Sequence, residues 1–353
     1  MLRQLARLTA PVAAAGEHAC AIAVYTDGDD RALAAADRGY EGVACVDDAA
    51  RMAVLLCDLW SVTKLPLLAS WAAGLADFLL YMEDDGRFAN FIHDWGGEIN
   101  ETGPTSQRGG AFWQARGTRA LAKLWAVFGD DRVHDALVRA LARIREADEA
   151  PTDVRAIHAL MAAELVRLGT MPQLRADLQR WADDLARVHH GPVLLDHDGQ
   201  TAPHLWAHIQ EGVLAEAGTL LDRPDLVARA RTSAFAYLAP IVERGFALPT
   251  VQPYGVACAV FSLDRLAQFT GEPRFVELAD KARAWFDGRN SAGRAVYDRG
   301  AGRVYDGIDH GTVNARSGAE SNIVAAQALL EQVIARVPYD LPLIAACFDR
   351  VVA

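Results

Sequence analysis

The chain has 353 residues, 52% of them hydrophobic, and carries a formal net charge of -11 from 46 acids against 35 bases. That content is ample for a continuous core and speaks against disorder, and the lack of a basic face argues against nucleic acid or an anionic membrane as a partner. No run reaches the roughly 20 apolar residues of a membrane span. Cys20, Cys45, Cys57, Cys258 and Cys347 form no C-x-x-C pair, so buried free thiols are expected rather than disulfides or a thiolate zinc site.

Residues 1–45 are weakly specified. A short amphipathic helix is expected at Leu2 to Leu8 and a strand at Cys20 to Tyr25, then a turn-like stretch of Asp27, Gly28, Asp29 and Asp30, with Gly39 further on. The Ala-rich piece near the start is broken by Pro11, Gly16, Glu17 and His18, so a secretory leader is not expected and a soluble cytoplasmic protein is. From Val46 the apolar positions Val46, Ala49, Ala50, Ala53, Val54, Cys57 and Trp60 recur at helical spacing, predicting a helix over about 47–61. Its partner runs from Leu65 to Tyr81, followed by a long polar loop from Glu83 to Gly109.

The same pattern then repeats. Gly110 to Phe128 turns at Gly129-Asp130-Asp131 into Arg132 to Ala147, and Asp153 to Leu168 turns at Gly169 into Pro172 to Val188. His204 to Leu221 pairs with Asp225 to Tyr237, Tyr254 to Phe269 with Arg274 to Phe286, and Ala315 to Ala335 with Pro338 to Val351. About twelve helices in six hairpins, at a period of roughly 50 residues, mark a stacked or closed repeat architecture. The expected fold is all-α, with six inner and six outer helices in one domain over 1–353 and an extension at about 1–45. The first helix of each pair is the more apolar and is placed inside. Loops between pairs are longer than turns within them, so a pocket is expected where the first helices begin.

Polar side chains crowd those starts. The stretch from Tyr305 to Ser321 contains Asp306, His310, Arg316 and Glu320, more chemistry than a turn and a cap require. Asp47 and Asp48 open the first long helix, where one acid would suffice to complement the dipole. The loop from Asp84 to Thr102 mixes Arg87, Asn90, Trp95 and Glu101 with Phe88 and Phe91. Aromatic faces beside carboxylates and amides suit a sugar ring and its hydroxyls, and exposed Phe88, Phe91 and Trp95 would be unusual in a plain loop. His204 and His208 stand at i, i+4 beneath Asp196, but Leu205 and Trp206 follow where a metalloprotease has Glu. Lining by His208, Gln210 and Glu211 is expected there, with no metal and no cofactor. Gln252-Pro253-Tyr254 offers a ring and an amide at another helix start.

Four segments carry a resemblance: Val46-Asp47-Asp48-Ala49-Ala50-Arg51, Asp85-Gly86-Arg87-Phe88-Ala89-Asn90-Phe91, Tyr305-Asp306-Gly307 and Gly318-Ala319-Glu320-Ser321. In this order the sequence resembles the six-hairpin glycosidase-like superfamily of (α/α)6 toroids, within it a bacterial group found alone or attached to glycosyltransferase domains. Ala49 stands where that group has Asn, and residues 105–113 follow its Ser-His-Gly-Arg-Ala-Leu-Trp pattern only loosely. The resemblance implies an (α/α)6 toroid, an oligosaccharide or glycan as ligand and a glycosyltransferase as possible partner.

Glycosidic cleavage needs one carboxylic acid to protonate the leaving oxygen and one carboxylate to activate water or attack carbon. Glu320 is the expected acid, because an apolar helix raises a carboxyl's pKa, and Asp48 the expected base, held ionised by the helix end. Asp306 and Glu101 stand in reserve. Asp47, Arg87, Asn90, Trp95, His208, Glu211, Tyr254, His310 and Arg316 are the expected sugar contacts. The alternatives are a non-catalytic glycan-binding scaffold linked to glycan synthesis, and a sugar isomerase or epimerase using His93, His208 or His310 for proton transfer.

Overall fold

A computed structural model describes residues 1–27, 29, 31–34, 41–147 and 150–352. The expected turn residues Gly28, Asp30 and Gly39 lie outside them. In chain order the helices are α1 (Leu2–Leu8), α2 (Val46–Thr63), α3 (Pro66–Met82), α4 (Ala111–Phe128), α5 (Asp131–Glu146), α6 (Thr152–Leu168) and α7 (Arg175–Arg187). They continue with α8 (Gln210–Leu221), α9 (Pro224–Ala236), α10 (Leu238–Glu243), α11 (Pro253–Thr270), α12 (Pro273–Arg283), α13 (Ala319–Ala328) and α14 (Leu330–Val352). Six hairpins follow, from α2/α3 to α13/α14, with tight turns capped by left-handed residues such as Lys64, Gly129, Gly169 and Gly271.

The chain divides into two compact units. The first comprises Met1–Ala147, Asp298–Tyr305 and Ala315–Ala353, the second Asp148–Tyr297 and Asp306–Asn314. In the first, α2 packs against α3, α4 and α13, and α1 lies on α14. In the second, α8 packs against α6, α9 and α11, and α11 pairs with α12. The first helix of a pair is the more buried, as its apolar sequence predicts: α6 is buried from Thr152 to Leu165. The second helix α5 buries a single stripe of Val133, Ala136, Leu137, Ala140, Leu141 and Ile144.

Short strands fill the loop from Glu83 to Gly109. Glu83–Asp84 pairs with Arg87–Phe88 through an Asp85-Gly86 turn whose φ values are 47° and 79°, the left-handed pair that a tight hairpin demands. The Asp-Gly-Arg-Phe segment is therefore a hairpin first. Its aromatics are not a stacking surface, contrary to the sequence expectation: Phe88 and Phe91 are core residues. A Cβ on Gly117 would lie 2.8 Å from the Phe88 ring, so α4 is shaped to receive it. Phe91 is held by pairing of Phe91–Ile92 with Ala44–Cys45, immediately before α2.

Two helix boundaries also differ from expectation. The helix expected from His204 starts at Gln210, because Ala207 adopts φ 59° and breaks it. The break expected at Pro338 comes earlier, at Leu329, and α14 runs through both Pro338 and Pro342. Its buried Val333, Val337, Ile344 and Phe348 outweigh the hydrogen bonds the prolines cannot make.

Candidate active site

In the first unit the N-terminus of α2 is fastened at several points. Asn90 accepts Val46 N through its backbone carbonyl at 2.8 Å and Asp47 N through Oδ1 at 3.2 Å, while Cys45 Sγ accepts Asp48 N at 3.4 Å. One turn on, Arg51 points both guanidinium arms at acids. Nη2 donates to Asp48 Oδ1 at 2.7 Å, and Nη1 donates to Glu320 Oε1 at 2.7 Å. Asp47 is bound by Arg116 from α4, and its Oδ2 lies 3.6 Å from Arg51 Nη2. Gln327 of α13 closes the group by donating to Arg51 O at 3.3 Å.

The two carboxylates on Arg51 live in unlike surroundings. The Asp48 side chain is 2% exposed and that of Glu320 41%. Burial pushes the Asp48 carboxyl up to about 6; Arg51 works against that, and the charges of Glu320 and Asp47 add to it. Despite the helix end, the Asp48 carboxyl sits above its usual range, because desolvation is the largest influence on it. Burial also pushes Asp47 up, but the Arg116 and Arg51 guanidiniums more than offset it and hold that carboxyl below its usual range.

In the second unit His208 lies between two acids. Its Nδ1 is 2.7 Å from Asp196 Oδ1 and its Nε2 is 3.0 Å from Glu211 Oε1, with all three side chains sealed from solvent. Ser233 donates to the same Glu211 oxygen at 2.7 Å, and Gln210 donates to Asp196 Oδ1 at 3.0 Å. Burial pulls the imidazole pKa down, but Glu211 and Asp196 reverse that and lift it to about 10. His208 is thus a buried cation engaged at both nitrogens, while Glu211 Oε2 and Gln210 Oε1 are buried without a hydrogen-bond partner, and Tyr237 packs edge-on at 5.3 Å.

The remaining expected residues differ in exposure. Glu101 is exposed and paired with Arg108 at 2.9 Å. Arg87, His310 and Arg316 are exposed, Trp95 and Tyr254 half-buried, and Asp306 half-buried before the strand Gly307–Asp309. The stretch from Tyr305 to Ser321 divides: residues 306–314 form a hairpin paired with Thr250–Val251 in the second unit, while Glu320 opens α13 in the first. Sequence reasoning leaves Arg51, Arg116, Asp153 and Asp196 out of the candidate set. An Asp-x-x-Arg spacing on a helix was the available signal for Arg51; nothing local signals Arg116.

No family model matches the chain, and no curated protein matches it in sequence. Solved structures do match. A sugar epimerase from a ruminal bacterium superposes with a TM-score of 0.67 at 13% identity, over 90% of this chain and 92% of the other. The fold is the (α/α)6 toroid. Cellobiose 2-epimerase from Bacillus thermoamylovorans (TM-score 0.64, 14% identity, 89% and 92% covered) is similar to this toroid. So is a GH76 α-mannanase from Bacteroides thetaiotaomicron (0.58, 13%, 85% and 88%).

Proposed function

We propose that this toroid is a carbohydrate-active enzyme, a glycoside hydrolase that cleaves an oligosaccharide with Asp48 and Glu320. One observation carries the reading: two carboxyl groups share the Arg51 guanidinium, one buried with its pKa lifted to about 6, the other 41% exposed. Carboxyls pushed into unlike environments are the mark of an acid and its partner. The roles are the reverse of those expected from sequence. Asp48 is the acid that gives its proton to the glycosidic oxygen as the C–O bond breaks. Glu320 is the carboxylate that takes a proton from the water adding to the anomeric carbon, or attacks that carbon itself. The (α/α)6 fold, shared with a mannanase, supports the substrate class.

The test is release of new reducing ends from a panel of mannose- and glucose-linked oligosaccharides. Cleavage is expected, and Asp48→Asn and Glu320→Gln should each lower it by about 10²- to 10⁴-fold. No cleavage of any member, or cleavage unchanged in both variants, overturns the reading. Thermal stabilisation by a sugar without cleavage would favour the glycan-binding scaffold.

The likeness to sugar epimerases favours a second reading. Both His208 nitrogens are occupied, so such an enzyme would use the exposed His93 or His310. It predicts deuterium uptake from heavy water into the sugar without cleavage. A glycosyltransferase as partner rests on the resemblance of the four segments. A cytoplasmic location is supported by the free cysteines, four of them buried.

A further inference from the structure

Beside the sealed His208, and sharing Asp196 with it, lies a second histidine in a different situation. His204 Nδ1 is 2.6 Å from Trp206 O. A carbonyl only accepts, so Nδ1 carries the proton and Nε2 is left to face outward from that bond. Nε2 meets two carboxylates: Asp153 Oδ2 at 3.4 Å and Asp196 Oδ2 at 3.5 Å. A neutral Nε2 presents a lone pair, so three electron-rich atoms converge where only a cation makes the arrangement favourable.

A proton shared between the two carboxylates and a metal ion would each make the arrangement favourable, and the distances fit the metal. A charge-assisted N–H···O bond closes to about 2.7–2.9 Å, and both separations here are longer. Around a four-coordinate ion with bonds of about 2.0–2.1 Å to nitrogen and oxygen, neighbouring ligand atoms stand roughly 3.3–3.4 Å apart. The three donor atoms all lie within 4.8 Å of one another.

Their supports are those of a built site. Asp153 is buried, fixed by Val154 N donating to Oδ1 at 2.7 Å, which leaves Oδ2 toward His204. Asp196 is sealed, and His204 N donates to its Oδ2 at 2.8 Å. The His204 ring stacks on Trp206 with centroids 4.0 Å apart and 6° between planes. A histidine whose other nitrogen donates to a backbone carbonyl is the usual form of a metal ligand, because that bond fixes tautomer and ring orientation. His204 is 25% exposed, so one side of the triad opens to solvent.

We infer that Asp153, Asp196 and His204 form a divalent-cation site of zinc type, with three protein ligands and an open fourth position. The sequence reading takes His204 and His208 as a pair on one helix face and sets metal aside because the Glu of a metalloprotease motif is absent after His204. Both instead precede α8, and His208 is engaged at both nitrogens. The site does not depend on the hydrolase reading, since it uses none of the residues around Arg51.

The experiment titrates the EDTA-treated, dialysed full chain with ZnCl2 at neutral pH by calorimetry. Binding of one ion per chain is expected, with a rise in melting temperature as zinc is added. Co(II) in place of zinc should give the intense visible absorption of tetrahedral coordination. His204→Gln and Asp153→Asn should each weaken binding by more than about 100-fold, since even the outer partners of a ligand are worth ~10–100-fold. His190→Gln, at an exposed histidine of the same unit, should leave binding unchanged. Absence of saturable zinc binding overturns the site and leaves a protonated His204 between two acids. So does zinc binding that persists at full strength in His204→Gln. The Co(II) spectrum of the unaltered chain decides the coordination even where a variant folds poorly.

Discussion

The two polar clusters are made from the same parts and differ in access. Arg51 stands between Asp48 and Glu320 with one acid exposed, whereas His208 stands between Asp196 and Glu211 with every member sealed. In the sealed case each ring nitrogen is committed, and a proton cannot leave without stranding a buried charge. Such a cation fixes structure. In the open case burial raises the pKa of one carboxyl to about 6, while its partner on the same guanidinium meets solvent. On the proposed reading, exposure, more than composition, separates a polar core from a site of chemistry.

The largest effect should come from the sealed cluster. His208→Leu removes the cation and leaves two buried carboxylates facing an apolar side chain, a loss of about 3–5 kcal/mol, measured as a lower urea midpoint. A loss below about 1 kcal/mol would show that the cluster is not a structural core and would dissolve the contrast.

Next comes the pH dependence of the open cluster. The Asp48 carboxyl is raised from its ordinary 3.8 to about 6, so the folded state holds its proton more tightly than the unfolded state. Its contribution is complete below about pH 4 and is lost as pH rises through about 6, an amount on the order of 3 kcal/mol. Stability of the wild type relative to Asp48→Asn should fall by that order between pH 4 and pH 7, because Asn does not titrate. Turnover should decline above about pH 6, where the acid loses its proton. Parallel stability curves for the two proteins would mean that Asp48 does not titrate in this range.

Arg51→Lys sharpens the same point at a smaller scale. A lysine keeps the charge but offers one ammonium where two separate arms now reach Asp48 and Glu320. Stability should fall by about 2 kcal/mol, and oligosaccharide turnover by roughly 10- to 100-fold through misplacement of the pair. Turnover equal to wild type would show that the guanidinium does not position the carboxylates.

The hairpins were legible because their signals are local. Apolar residues at helical spacing, glycines at αL caps and prolines at first turns place the pairs to within a few residues, as at Pro66, Pro224, Pro253 and Pro273. The failures are equally physical. Pro338 reads as a stop, yet the apolar face of α14 carries the helix past it. Phe88 and Phe91 read as exposed because their loop is polar, and only the space above Gly117 and the pairing with Ala44–Cys45 shows them buried. Asp48 and Glu320 are both visible as acids at helix starts. That the Arg51 guanidinium beside Asp48 reaches Glu320 across 269 residues of sequence is a tertiary fact with no local trace. The same holds for Asp153, Asp196 and His204.

The smallest effect should be at Glu101, an acid held in reserve on sequence grounds. Its side chain is 60% exposed and bonds Arg108 through a single oxygen, Oε1, at 3.1 Å from Nε and 2.9 Å from Nη2. Water screens that pair, and Arg108 keeps a second anchor in Met82 O at 3.1 Å. Glu101→Gln should therefore cost less than about 1 kcal/mol and leave oligosaccharide turnover unchanged, against the loss expected for Glu320→Gln. The two acids are alike in type, and each bonds an arginine. Glu101 has only that pair in a polar loop, whereas the arginine on Glu320 also holds a buried carboxyl with a raised pKa. A large loss of turnover in Glu101→Gln would mean that partial exposure and a shared guanidinium are not what mark the carboxylate that assists the water or attacks the anomeric carbon.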